Sequence, residues 1–162
     1  MHAKQSGSLG ELKVAADLIA RGYAVFTELG DLSRVDLIAL VDSQPVKVQV
    51  KARTSKHGSV EISKRKSGPN YRFTYQEGEV DVFAIYVIDK DLCLYVNATD
   101  FLKGSTLSIR VEPARNGQQK KVNPWQQYTD FKRALRGHTQ PTLSEKAEGE
   151  EMVQTTTPEG GQ

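Results

Sequence analysis

In the segment SLGELKVAADLIAR, residues 8–21, apolar residues recur three and four positions apart. That spacing predicts a helix, with Gly22 as its stop. On it Leu12, Val14, Ala15, Leu18 and Ile19 share one arc, and Lys13, Asp17 and Arg21 face the other way. The first arc is the expected core face and the second the solvent face. Glu11 falls inside the apolar arc. Two readings stand for it. With Ser8 it has capping-box spacing, or it turns inward and needs a partner, because an isolated buried carboxylate is costly.

After Gly22 the period shortens to two. YAVFTEL (23–29), VDLIALV (35–41) and VKVQVKA (46–52) predict three strands, the last two joined by the turn-rich loop DSQP. Residues 53–78 are polar and irregular, with one short strand expected at SVEIS. VDVFAIYVI (80–88) is the strongest apolar run and predicts a strand buried on both faces. Asp81 in it reads as a strand-entry residue. A turn at DK leads to the hairpin partner LCLYVN, then a short helical segment ATDFLKG and a strand LSIRVEP. NPWQQYTDFKRALRG predicts a last helix with Asn123 as cap, Pro124 in its first turn and Gly137 after its end. Trp125, Tyr128 and Phe131 are expected to pack it on the sheet. This order defines an α/β fold with a mixed central β-sheet flanked by helices.

The hairpin RVDLIALVDSQPVKVQVKART holds polar residues where a core sheet would be apolar. Val46, Val48, Val50 and Ala52 share one face of the second strand, and Lys47, Gln49 and Lys51 the other. That polar side is either a wet face or a site. In the first strand both faces are apolar except at Asp36, near its start. In an antiparallel hairpin the start of one strand lies beside the end of the other, so Asp36 is expected next to Gln49 and Lys51, directly or diagonally. An acid, an amide oxygen and a lysine, with an inward acid able to approach from the helix, suit Mg²⁺ and a phosphate substrate.

Charge sharpens this picture. The chain has 162 residues and a net charge of +2, but residues 139–162 hold five acids and one lysine. That acidic segment lacks aromatic residues and reads as a disordered tail. We therefore divide the chain into a basic domain, residues 1–137, and the tail, 138–162. From Lys51 to Arg72 there are seven Lys or Arg and one acid. Arg53, Lys56, Lys64, Arg65, Lys66 and Arg72 there, together with Arg34, are the candidate contacts to a polyanion, most simply the phosphates of nucleic acid. His2, His57 and His138 are too dispersed for a zinc site. The single cysteine, Cys93, reads as a small core residue. No signal region or membrane-length run is present, so a cytoplasmic protein is expected, with its basic cluster toward nucleic acid.

Taken together, Glu11 in GELKVAADL, Asp36 in RVDLIA and the run Gln49-Val50-Lys51 resemble the PD-(D/E)-x-K nuclease superfamily. VDVFAIYVIDKDLCLYV and NPWQQY are similar to its small branch with a group I intron-encoded homing endonuclease. Archaeal Holliday-junction resolvases share the fold. The resemblance covers about residues 6–136 and implies a restriction-endonuclease-like core and Mg²⁺-dependent hydrolysis of double-stranded DNA, with Mn²⁺ able to substitute. By position it implies Asp36 as the central metal ligand, Gln49 and the Val50 carbonyl as further ligands, Glu11 as a direct or water-mediated one, and Lys51 acting on the attacking water. It also implies a homo-oligomer, dimer or tetramer, if both strands are cut. Val35 stands where the motif has proline, and Gln49 stands where most members have an acid, removing one negative charge. A non-catalytic DNA-binding module on the same fold is the competing reading; in another, the acidic tail recruits a protein.

Overall fold

The first helix, α1 (Ala3–Ala20), begins well before Ser8. Its start is instead closed by His2 N, which donates to Gln5 Oε1 at 3.2 Å. Ser8 and Glu11 therefore lie inside one continuous helix, and the capping reading of Glu11 is overturned. The end matches expectation. Gly22 takes φ +89°, its N–H bonds Ile19 O at 2.9 Å, and Tyr23 N bonds Leu18 O at 3.1 Å, a Schellman closure. The buried stripe is narrower than expected. Val14 and Leu18 are fully buried, whereas Leu12 and Ile19 are 69% and 58% exposed. Asp17 is a second correction. It is half-buried, accepts from Tyr95 Oη and pairs with Arg21 Nε at 2.8 Å.

In this computed structural model residues 2–29, 32–68, 71–113 and 122–136 are described. The expected acidic tail and the Gly137 stop lie outside them. Five strands form the central sheet, in the order β1 (Ala24–Thr27), β2 (Leu37–Val41), β3 (Gln44–Arg53), β7 (Val82–Val87) and β8 (Leu92–Asn97). The pairing of β3 with β7 is parallel and the rest antiparallel, so the sheet is mixed as expected. The β2–β3 turn is tighter than DSQP. Asp42 and Ser43 alone form it, at φ 49° and 65°, a two-residue loop whose positive angles match the twist of the strands.

Between β3 and β7 the chain is more ordered than its composition suggests. β4 (Ser59–Ser63) pairs with β9 (Thr106–Arg110), and β5 (Arg65–Gly68) pairs with β6 (Tyr71–Thr74), in two separate two-stranded sheets. The β5–β6 ribbon was not expected. Asp81 does what its position suggested: its N–H bonds Lys47 O at 2.9 Å, and its Oδ2 accepts from Lys47 N at 2.8 Å.

Two cores sandwich the sheet. α1 packs Val14 and Leu18 against Val48, Val50, Val82, Ala84 and Tyr86. On the other face Phe83, Ile85 and Val87 meet β4, β9 and the helix α2 (Ala98–Lys103). All six residues of β7 are buried, as its apolar run required. The last helix is broken in two. Trp125–Tyr128 form one 3₁₀ turn, and α3 spans Phe131–Arg136, capped by Asp130 Oδ1 accepting from Arg133 N at 3.2 Å. Tyr128 is buried in the second core and Trp125 packs against it. Phe131 is buried in the first, edge-on to Tyr23 and Tyr95 at 5.2 Å each. The break carries the chain from one face to the other.

Gly10 permits α1 to lie against the end of β3. A Cβ there would meet Ala52 Cβ at 3.0 Å and Val50 Cγ1 at 3.4 Å, whereas one at Gly7 would meet nothing within 4 Å. Gly7→Ala is therefore expected to add about 0.5–1 kcal/mol of stability, the ordinary helical gain. Gly10→Ala should lose about 1 kcal/mol or more, because the overpacking outweighs that gain. Urea unfolding separates them; equal stabilities would refute the close approach.

Candidate active site

The site grows out of unequal strand lengths. The β2–β3 ladder ends at the pair Leu37–Val48, where Asp36 N donates to Val48 O at 3.0 Å. β3 runs on to Arg53, paired on its other side with β7. Beyond Val48, no strand among the described residues lies beside β3 on the β2 side, and backbone groups there need other partners. The Asp36 side chain supplies one. Its Oδ2 accepts from Val50 N at 2.7 Å and from Gln49 Nε2. The same amide nitrogen donates to Val50 O at 3.2 Å. One carboxylate, one amide and one main-chain carbonyl thus meet where β2 stops, at the end of the hairpin expected from strand parity.

Gln49 and Lys51 share the sheet face opposite α1, and both are buried rather than wet: Gln49 is 4% exposed and Lys51 7%. Among the described residues they are the two polar side chains so enclosed. Lys51 Nζ lies 4.8 Å from the centre of the Tyr75 ring and 5.7 Å from that of Phe83. Glu11, half-buried on α1, follows the Gly10 that lies against Val50 and Ala52. It approaches the same end of β3 from the helix side. The second core covers the β7–β8 half of this face, and on the β1–β2 half the cross-strand pair Phe26 and Ile38 stays exposed. The site therefore lies at the border between a covered and an open half.

The expected DNA contacts divide in two. Arg34 is exposed but already paired within the protein. Its Nη1 donates to Glu79 Oε1 at 2.6 Å, and its guanidinium stacks 4.3 Å from the centre of the Phe73 ring. Lys64 Nζ donates to Leu102 O at 3.3 Å, in the last turn of α2, where a cation is favoured. Arg53, Lys56, Arg65 and Arg72 are exposed, with Arg53 Nη1 bonded to Ala52 O at 2.8 Å. The side chain of Lys66 lies outside those described. In the β5–β6 register Arg65 is opposite Thr74 and Arg72 opposite Ser67, so Arg65 and Arg72 share one face of the ribbon. Phe73, on the other face, packs on Tyr75 at 5.1 Å. The sequence did carry a signal for β6: Tyr71, Phe73 and Tyr75 alternate at period two. Cys93 is partly buried, and burial pushes its thiol up to about 12, which leaves it inert at neutral pH.

The chain has a restriction-endonuclease-like core, the fold of a nuclease class, with an acid, an amide and a lysine at the end of one hairpin. The model of the PD-(D/E)XK endonuclease family matches residues 1–131, and the chain belongs to that family. Protein 5.3 of Escherichia phage T7 is 30% identical over 102 residues, 62% of this chain and 84% of that protein. A solved bacterial homing endonuclease has the same fold, with a TM-score of 0.63 at 23% identity over 74% of this chain and 86% of that one.

The Asp36 carboxylate is the acceptor for the Val50 amide, so Asp36→Ala is expected to expose that amide to exchange. Hydrogen exchange at Val50 should speed up by roughly tenfold or more, the loss expected for a charge-assisted bond. An unchanged rate would show that Asp36 does not close this ladder.

Proposed function

We propose that this chain is a divalent-metal-dependent endonuclease that hydrolyses phosphodiester bonds of double-stranded DNA. The observation that carries this reading is the meeting of Asp36, Gln49 and the Val50 carbonyl, with Lys51 next on the same strand face. The donor set fits a hard cation. Among the described residues no three His, Cys, Asp or Glu side chains gather, so one carboxylate, one amide oxygen and one carbonyl would bind, with Glu11 completing the set directly or through water. Such oxygen donors suit Mg²⁺, which keeps several waters, and Mn²⁺ in its place. Gln49 turns its NH₂ toward two oxygen acceptors; a half-turn of the planar amide presents Oε1 instead, the end that a shared cation favours. When bound, the ion polarises the phosphate and makes its water more acidic.

The protein groups do the rest. Lys51 is positioned to orient the attacking water and to offset negative charge that builds on the phosphate as the bond to the leaving oxygen lengthens. The ribbon face with Arg65 and Arg72 follows the DNA backbone, and Arg53 and Lys56 extend it. The resemblance of VDVFAIYVIDKDLCLYV and NPWQQY to the homing-endonuclease branch supports a site-specific, homing-type activity, with junction resolution or repair as the alternative. Cutting two antiparallel strands with identical sites calls for a homodimer or tetramer. No helix among the described residues is long and apolar enough to cross a membrane.

Purified protein with Mg²⁺ or Mn²⁺ is expected to cut at least one of a panel of duplex, single-stranded, junction and intron-target DNAs. Lys51→Ala should lower the cleavage rate by roughly 10²-fold or more with little change in binding. Gln49→Glu should bind the cation more tightly. Binding without cutting on every substrate would favour the non-catalytic module.

Replacing Arg65 and Arg72 together with Ala tests the ribbon. The slope of log affinity against log salt should fall by about 0.9 for each phosphate the protein no longer neutralises. An unchanged slope would remove the ribbon from the DNA interface.

A further inference from the structure

Lys51 is buried, and an ammonium group out of water needs compensating partners. Two of them are aromatic faces. The Tyr75 ring centre is 4.8 Å and the Phe83 ring centre 5.7 Å from Nζ, both within the range of cation–π attraction. The Tyr75 ring has little freedom to turn. It is 2% exposed and packs edge-to-face with Phe73 on one side and Phe83 on the other, at 5.1 Å each. Phe83 in turn packs on Phe101 at 4.9 Å. The backbone is tied too: Tyr75 N donates to Lys64 O at 3.1 Å.

This ladder links the two strands of the site from outside. Phe73 carries the Arg34 guanidinium, two residues before Asp36. Tyr75 faces Lys51, two residues after Gln49. The rings attract the ammonium but bring no negative charge of their own to compete with a phosphate.

We propose that Tyr75 is a positioning residue for Lys51: its fixed ring face seats the charged ammonium group beside the Asp36–Gln49 pair. This rests on the endonuclease reading above. The ring is what matters, not its hydroxyl. Lys51 and the phosphate meet only if the ammonium is held at this height on the strand; a flexible apolar side chain at position 75 leaves it free to take other rotamers.

The test compares Tyr75→Phe, which keeps the face, with Tyr75→Met, which removes it. Tyr75→Phe should cut DNA within about twofold of the unaltered protein. Tyr75→Met should keep its DNA affinity and KM while kcat falls roughly tenfold, in line with the strength of a desolvated cation–π contact. A second readout does not need activity. The ε-CH₂ protons of Lys51 should show an upfield ring-current shift in the unaltered protein and in Tyr75→Phe, and lose most of it in Tyr75→Met, where only the more distant Phe83 ring remains. Should Tyr75→Met fail to fold, phenylalanines carrying more and more fluorine at position 75 keep the shape and weaken the face, and kcat should fall stepwise. Equal kcat in Tyr75→Met, an equal fall in Tyr75→Phe, or no response to fluorination would each overturn the proposal. An unaltered protein that cuts no DNA would overturn the endonuclease reading, and this role with it.

Discussion

The site depends on one carboxylate that finishes a strand ladder. β2 stops before β3 does, and Asp36 Oδ2 takes up the Val50 N–H that a longer β2 would have paired. A buried backbone donor left without an acceptor costs about 1–3 kcal/mol, so the sheet holds the carboxylate as firmly as the carboxylate holds the sheet. The same oxygen accepts from the Gln49 amide, which also reaches the Val50 carbonyl. Structure and proposed chemistry share these atoms: the group that completes β3 is the one we propose as a cation ligand.

Burial then sorts the polar residues. A face carrying Lys47, Gln49 and Lys51 could have been a solvated sheet surface. It is instead roofed by aromatic residues of the second core on the β7 side and left open on the β1–β2 side. Gln49 and Lys51 fall under the roof, where each unmet polar group is expensive and geometry is therefore specific. Lys47 lies nearer the hairpin turn and bonds Gly78 O. The charges around the site divide in the same way. Arg34 and Lys64 are engaged by Glu79 and Leu102 O, while Arg65 and Arg72 project from the ribbon.

Much of the frame was legible in residue order. The Asp36–Gln49 meeting followed from strand parity and antiparallel pairing alone, because both are local rules. The double-sided burial of β7 followed from its unbroken apolar run. The C-terminal segment misled because Trp125, Tyr128 and Phe131 fit one helical face, whereas the chain rounds the sheet and puts them in different cores. The β5–β6 ribbon was masked by its polarity. Its strands RKSG and YRFT are mostly polar, so hydrophobic period carried almost no weight against a run of Lys and Arg.

What the sequence by itself determined is therefore the set of elements with a buried face, the hairpin's pairing and the end of the sheet where the acid, the amide and the lysine lie. Periodicity records which face of an element is apolar, and this much follows from it. The tertiary structure alone decided which polar residues are enclosed, that Asp17 turns to Tyr95 and not to water, and that Lys51 is seated against Tyr75. Tyr75 is 24 residues from Lys51 in the chain, and no local rule brings them together. Their contact exists because the residue that follows β6 lays its ring over the Lys51 ammonium on β3, a choice made by tertiary packing.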